Sequence, residues 1–292
     1  MDFKRIGLED LEILRRELEG YCGRICDISP ANLVFWRDYY DISYYVGEGG
    51  IALRFGNMDD TVSYYCGTNS ALIDKVISRE GGAALFSCLT LKEAEYIAER
   101  YEATAPENSR DWDDYIYCAA DIAELKGKRY CGQRNHINKF NKLYSDVSFD
   151  EIKESDIEDV KAFIGEYFDS IGEGISEDAV YERAHLEEQL DNLGAYGQLT
   201  GVLRVEGKVV GFSIGEIVGD TLIIHTEKAD TAYNGVYPKI VKCFAEKYAH
   251  NALYINREED CGDAGLRISK LSYHPLYMLP KYHLRASLKK KE

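Results

Sequence analysis

The sequence predicts a mixed α/β (α+β) protein of two similar domains with mixed, mostly antiparallel sheets. Three observations support this. The 292 residues exceed one typical domain. Hydrophobic residues at 45% and charged residues at 29% make a globular mixture, with no apolar run near the roughly 18 residues that cross a bilayer. Short strand-like segments alternate with helical periods in both halves. The division is placed at mid-chain, giving domains over residues 1–145 and 146–292.

In chain order, Leu8, Leu11, Leu14 and Leu18 recur at helical spacing and open the chain with a helix. Residues 51–55 and 62–66 read as strands, 70–78 as a helix capped by Asn69 or Ser70, 83–88 as a strand, 91–101 as a helix and 115–120 as a strand. The polar, turn-rich stretch 105–114 is a loop. In the second half, Ile157, Val160, Phe163, Ile164 and Phe168 form one stripe of a helix over 155–170, and a further helix covers 176–193. The period then shortens: 199–205 and 208–218 make a hairpin around Glu206-Gly207, and 221–227 is another strand. A helix over 236–248, a strand over 252–256, a helix over 265–273 and a strand over 276–284 close the chain. Helices, hairpin, strand, helix, strand, helix, strand is the element order of the acetyltransferase-like (acyl-CoA N-acyltransferase) fold. The first half reads as a weaker copy.

The formal charge of -16 opposes nonspecific nucleic-acid binding and predicts no DNA partner. Residues 1–145 hold 18 Lys/Arg against 24 Asp/Glu and residues 146–292 hold 17 against 27, so both halves are acidic. The N-terminus lacks a signal-peptide pattern, which with the missing apolar span predicts a cytoplasmic protein without an integral membrane segment. Cys22 and Cys26 have no second pair or nearby His to complete a zinc site, and no metal is expected. Cys66, Cys88, Cys118 and Cys243 sit in apolar stretches as small hydrophobes.

Two segments stand out. Between Ile255 and Leu266 the chain carries Asn256, Arg257, Glu258, Glu259, Asp260 and Asp263, far more charge than a strand-to-helix turn needs. Such a turn either solvates its charges or uses them. From Lys126 to Tyr144 there are six Lys/Arg and no acid, against the trend of the chain. At about 100° per residue, Lys128, Arg134, Lys139 and Lys142 share one arc and Ile137, Phe140 and Tyr144 the other. The basic face either pairs or is solvated, or holds a phosphate or a tRNA end through Arg129, Arg134, His136, Asn138 and Lys139.

Acyl transfer needs a group for the amine, a donor that polarises the carbonyl and an acid for the leaving oxygen. Glu258, Lys270, Tyr273 and Arg257 are the catalytic candidates, and Asp260, Asn256, His225, Glu227 and Tyr237 the substrate-binding ones. Lys270 and Tyr273, three apart, share a side; His225 and Glu227 share a strand face by alternation. The junction over 228–238 has one Gly and two tyrosines where a CoA-binding loop carries several glycines. That weakens acetyl-CoA as donor, and no tightly bound cofactor is expected.

The runs Leu125-Lys-Gly-Lys-Arg-Tyr-Cys-Gly-Gln-Arg-Asn-His-Ile-Asn-Lys-Phe140 and Asn256-Arg-Glu-Glu-Asp-Cys-Gly-Asp-Ala-Gly-Leu-Arg-Ile-Ser-Lys-Leu-Ser-Tyr-His-Pro275 resemble a bacterial family of unknown function. That family is related to the C-terminal domain of phosphatidylglycerol lysyltransferase, and the resemblance covers nearly the whole chain. It implies tandem acetyltransferase-like domains akin to the Fem-type transferases, which take amino acids from charged tRNA. An aminoacyl-tRNA-type donor and a small-molecule or lipid-like acceptor, meeting in a cleft between the domains, are what the resemblance implies. An acetyl-CoA-dependent N-acetyltransferase and a noncatalytic binding module are the alternatives.

Overall fold

Alternating apolar strands and amphipathic helices organise the chain around two mixed seven-stranded sheets, seen in a computed structural model that describes residues 1–21, 23–56, 61–172 and 176–289. The fold is the mixed α/β class expected. Two compact units are present. The first comprises Met1–Asp114, Glu259–Asp263 and the chain from Met278 onward; the second comprises Tyr115–Glu258 and Ala264–Tyr277.

In the first unit, Ser43–Gly47, Gly50–Gly56 and Val62–Tyr65 form an antiparallel meander. The helix Ser70–Arg79 then leads to Ala83–Leu89, which lies parallel to Val62–Tyr65. Asn69 caps that helix, its side chain accepting the Leu72 N–H, as predicted. In the second unit, Leu199–Val205, Lys208–Val218 and Thr221–Ala229 form the matching meander. The helix Val236–Tyr248 leads to Tyr254–Asn256, parallel to Thr221–Ala229. The duplication read from element order is therefore present in the strand pairing.

The boundary expected after residue 145 falls instead at Asp114, because each unit closes its sheet with a strand from far along the chain. Asp114–Cys118 pairs antiparallel with Tyr254–Asn256, and Tyr282–Ser287 pairs antiparallel with Ala83–Leu89. Long-range pairings of this kind leave no local compositional mark. The strand expected over 276–284 divides into Tyr277–Leu279 and Tyr282–Ser287, with Pro280, which has no N–H to give a ladder, between them.

The basic segment forms the helix Cys131–Leu143, which buries Gln133, Ile137 and Phe140 on one side. Phe140 joins Leu203, Val205, Val210, Ala229, Val236 and Ile240 in the core that seats the Val236–Tyr248 helix on its sheet. Cys66 is buried and Cys88, Cys118 and Cys243 are half-buried free thiols; Cys22 lies outside the described residues. Among the described residues no helix is long and apolar enough to cross a membrane.

Candidate active site

The second unit's site starts where Tyr254–Asn256 ends. Asn256 is fully buried and its side-chain oxygen accepts the Glu258 N–H at 2.6 Å, closing a tight turn. Glu258 takes φ 57°, a left-handed conformation uncommon outside glycine. Backbone bonds from Arg257 to Tyr115 (3.1 Å) and from Tyr115 to Glu258 (3.2 Å) fix the turn against the neighbouring strand.

Arg257 lies in this turn with its side chain about 9% exposed, and its Nη2 donates to Glu227 Oε1 at 2.8 Å. Burial opposes the guanidinium's charge, but Glu227 outweighs it and holds the pKa above the ordinary arginine value. The Tyr273 ring lies 4.9 Å from the guanidinium carbon. Tyr273 is itself buried, and burial pushes its hydroxyl pKa up, with Arg257 opposing in part.

Two charged atoms of the pair are left over: Arg257 Nη1 and Glu227 Oε2 are buried without a hydrogen-bond partner among the described residues. Ser213 Oγ is a third such atom. Ser213 stands directly opposite Glu227 in the strand register, which puts both side chains on one side of the sheet. Sequence reasoning missed Ser213. Its signal was the run Gly211-Phe-Ser213-Ile-Gly215, in which one side of an apolar strand carries only small residues.

His225 is held apart from that group. Ile214 faces Thr226 and Gly215 faces Ile224, so His225 is the extra residue of a β-bulge. Gly215 permits the bulge, since a side chain there would run into the Ile223 carbonyl. Two-residue alternation would set His225 beside Glu227; the bulge turns it to Glu216 (Nε2, 3.1 Å) and Glu258 (Nδ1, 2.8 Å) instead. Burial would lower its pKa, but the two carboxylates outweigh that and raise it to about 9. Both ring nitrogens are thereby engaged, and His225 ties Glu216 to the turn at Glu258. Lys270 reaches Arg257 through that residue's carbonyl oxygen at 2.6 Å, so its ammonium also holds the turn. Lys270 and Tyr273 both touch Arg257, but the helix ends at Leu271 and Tyr273 lies in the turn beyond it, so they do not share a helix face as expected.

The remaining predicted residues are placed elsewhere. Asp260 belongs to the first unit, where it is fully buried, pairs with Arg110 at 3.2 Å and accepts the Gly262 N–H. Tyr237 packs at the start of the Val236–Tyr248 helix, where burial raises its hydroxyl pKa. Arg129 bonds Asp121 at 2.5 Å, and Arg134 bonds the Leu125 and Gly127 carbonyls. These arginines fasten the start of the basic helix, and His136, Asn138 and Lys139 are among its exposed residues, with Lys142.

The junction after Thr221–Ala229 is filled by its own chain. Asp230 accepts the Ala232 N–H through its side chain and the Tyr233 N–H through its carbonyl. The Tyr144 hydroxyl accepts the Asn234 N–H at 2.9 Å. Gly235, at φ 87°, packs on the His136 carbonyl so closely that a side chain would not fit.

The first unit has a charged cluster that the sequence did not reveal. Lys281 Nζ lies 2.5 Å from Asp27, 2.9 Å from Asp114, 2.8 Å from Glu259 and 3.2 Å from Cys26 Sγ. The ligand atoms of Cys26, Asp27, Asp114 and Glu259 all fall within 4.8 Å of one another, a spacing that would suit a metal, but the ammonium of Lys281 already supplies the positive charge there. Burial lifts Asp114 to about 7 against the opposing pull of Lys281, and burial pushes the Cys26 thiol up.

The family model described as phosphatidylglycerol lysyltransferase, C-terminal, matches residues 23–285. A crystal structure of a conserved protein of unknown function from Bacteroides thetaiotaomicron superposes with a TM-score of 0.89 at 32% identity, covering 99% of this chain and 100% of that one. L-PGS from Bacillus licheniformis shares the fold, with a TM-score of 0.64 at 14% identity over 97% of this chain and 92% of that one. An uncharacterized protein of Mycoplasmoides gallisepticum is 25% identical over 197 residues, spanning 66% of this chain and 62% of that protein, so under two thirds of that relative is matched.

Proposed function

The chain belongs to the phosphatidylglycerol lysyltransferase C-terminal family, and on that premise we propose that it is an acyltransferase moving an aminoacyl group from an aminoacyl-tRNA-type donor to an amine or hydroxyl acceptor. The observation that carries this reading is the buried Arg257–Glu227 pair with one N–H and one carboxylate oxygen left over. Each unsatisfied buried polar group costs about 1–3 kcal/mol, and an aminoacyl group would satisfy both atoms of this pair.

An aminoacyl ester presents an ammonium one carbon away from its carbonyl. Glu227 Oε2 accepts from that ammonium, Arg257 Nη1 donates to the carbonyl oxygen, and Ser213 Oγ fills the space beside Glu227. The acceptor attacks the carbonyl carbon, negative charge gathers on the oxygen facing Arg257, and the donor's C–O bond breaks as the tetrahedral intermediate collapses. Tyr273, kept protonated by burial, gives its proton to the leaving oxygen, and the proton released by the attacking amine or hydroxyl returns to the Tyr273 oxygen, so the step ends with the tyrosine neutral again. Glu258, His225 and Lys270 hold the turn that aims Arg257.

The choice of donor draws support from the junction over 228–238. The N–H groups of Ala232, Tyr233 and Asn234 are spent on Asp230 and Tyr144, and Asp230 adds a negative charge where a CoA pyrophosphate would need donors. The test is transfer of a labelled amino acid from charged tRNA to phospholipid and to small amines, with acetyl-CoA as the rival donor. Label should move from the charged tRNA and not from acetyl-CoA; turnover with acetyl-CoA alone would overturn the reading.

A further inference from the structure

The helix Ala264–Leu271 is built inside out. None of its residues is buried, and its half-buried positions are the cations Arg267 and Lys270. Ala264, Ile268 and Leu271, at i, i+4 and i+7, share one face, and that face is turned to solvent. Ile268 is 72% exposed and Leu271 44%, and Leu276, just beyond the helix, is 58% exposed. A surface helix of a soluble domain normally turns such residues inward.

The chain also sets its basic segment against this element. Gln133 Nε2 donates to the Ser272 carbonyl at 2.6 Å, His274 Nε2 lies 3.0 Å from the Arg129 carbonyl, and the Tyr130 and His274 rings meet edge to face at 5.6 Å. The exposed apolar residues on both sides of 272–274 therefore adjoin the turn that carries Lys126 and Lys128, both exposed. Lys126, 77% exposed in its side chain, also pairs with Glu124 at 2.8 Å, and both lysines belong to the stretch Lys126–Tyr144 that holds six Lys/Arg and no acid. Apolar side chains bordered by lysines, on a protein whose net charge is -16, set this face apart from the rest.

We propose that this face docks on an anionic phospholipid surface: Ile268, Leu271 and Leu276 enter the boundary between headgroups and acyl chains, while Lys126 and Lys128 lie over the phosphates. Interfacial helices bind by this combination of apolar insertion and attraction to anionic lipid. A nucleic acid would match the lysines and leave the aliphatic residues in water, so the apolar face selects lipid. The proposal deepens the acyltransferase reading, because it identifies the source of a lipid acceptor, yet docking itself needs no donor and no turnover.

The experiment is cosedimentation of the full chain with vesicles of phosphatidylglycerol and phosphatidylcholine, and with vesicles of phosphatidylcholine alone. Binding is expected on the anionic vesicles, weakening with salt and on the neutral ones. The double variant Ile268→Glu with Leu271→Glu should bind at least about tenfold more weakly, since the two side chains no longer enter the apolar boundary. Lys126→Glu with Lys128→Glu should lose the preference for anionic vesicles. All four positions are exposed, and circular dichroism is the check that the variants fold. Unchanged binding by the Ile268/Leu271 variant, no binding of the wild type to either vesicle, or capture of uncharged tRNA that competes with the vesicles and ignores the Ile268/Leu271 change would each overturn it. Failure here with transfer from charged tRNA intact removes the docking surface alone; docking without transfer removes the reaction alone.

Discussion

Each unit contains a parallel strand followed by a turn and a helix, and the two junctions differ. In the first unit, Ala83–Leu89 passes to Leu91–Arg100 through the single residue Thr90. Thr90 and Glu93 form a capping box, with Thr90 Oγ1 accepting the Glu93 N–H at 3.3 Å and Glu93 accepting the Thr90 N–H at 2.7 Å. The helix buries Ala94 and Ile97. The second unit's Tyr254–Asn256 is separated from Ala264–Leu271, a helix that buries none of its residues, by the seven residues 257–263, of which 259–263 belong to the first unit. Backbone strain does not separate the two, since Cys88 at φ 55° in the first matches Glu258 at φ 57° in the second. The difference is in the polar accounts: the first junction closes on itself, and the second leaves Arg257 Nη1 and Glu227 Oε2 over.

The charged clusters differ in the same way. Lys281 answers three carboxylates, and none of the four groups has a buried atom without a partner among the described residues. That cluster balances its own charges, and breaking it is the largest effect expected. Lys281→Ala should cost about 3–5 kcal/mol, read as a fall in Tm, because it leaves buried carboxylates uncompensated. If Lys281→Ala melts with the wild type, the contrast between a self-balanced cluster and a functional one is lost.

Arg257→Lys should act on the reaction instead. It keeps the charge but loses the forked geometry, and transfer should fall by about 10²–10³-fold, measured as kcat. A variant of full activity would remove Arg257 from the oxyanion role.

A smaller effect separates the units by pH. The folded-state pKa of His225, about 9, stands above its ordinary 6.5, so between those values the folded chain holds a proton that the unfolded chain has released. Stability from this group is complete below about 6.5 and is lost as pH rises through about 9. Denaturant titrations across that range should show declining stability, and His225→Gln should flatten the slope; a slope unchanged in the variant would assign it to other groups. The smallest effect is Thr90→Ala, which should cost about 1 kcal/mol of stability and leave transfer untouched. A loss of transfer there would mean that the first junction also takes part in the chemistry.

Much of this contrast was legible in the sequence, but not all of it. The meander over 199–229, the helices at Ser70–Arg79, Leu91–Arg100 and Val236–Tyr248, and the Asn69 cap follow from periodicity and capping chemistry. Residues 256–258, Glu227, His225, Lys270 and Tyr273 were named as one site, and the contacts around Arg257 and Glu258 do bring them together. The pairing of the closing strands escaped because their partners lie 136 and more positions away, as with Cys118 and Tyr254. The role of His225 escaped because one inserted residue overturns alternation. Lys281 gave no sign, since a lysine after Pro280 at the start of a short strand reads as an exposed edge residue.

The central claim is that the second junction holds its leftover donor and acceptor for an aminoacyl group. Isothermal titration with L-lysinamide, and with the same amide acetylated on its α-amine, tests it most directly on the full chain. The account predicts that the free amine binds at least about tenfold more tightly than the acetylated one, and that Glu227→Gln erases the difference. Equal binding of the two amides, or discrimination that survives Glu227→Gln, would contradict it.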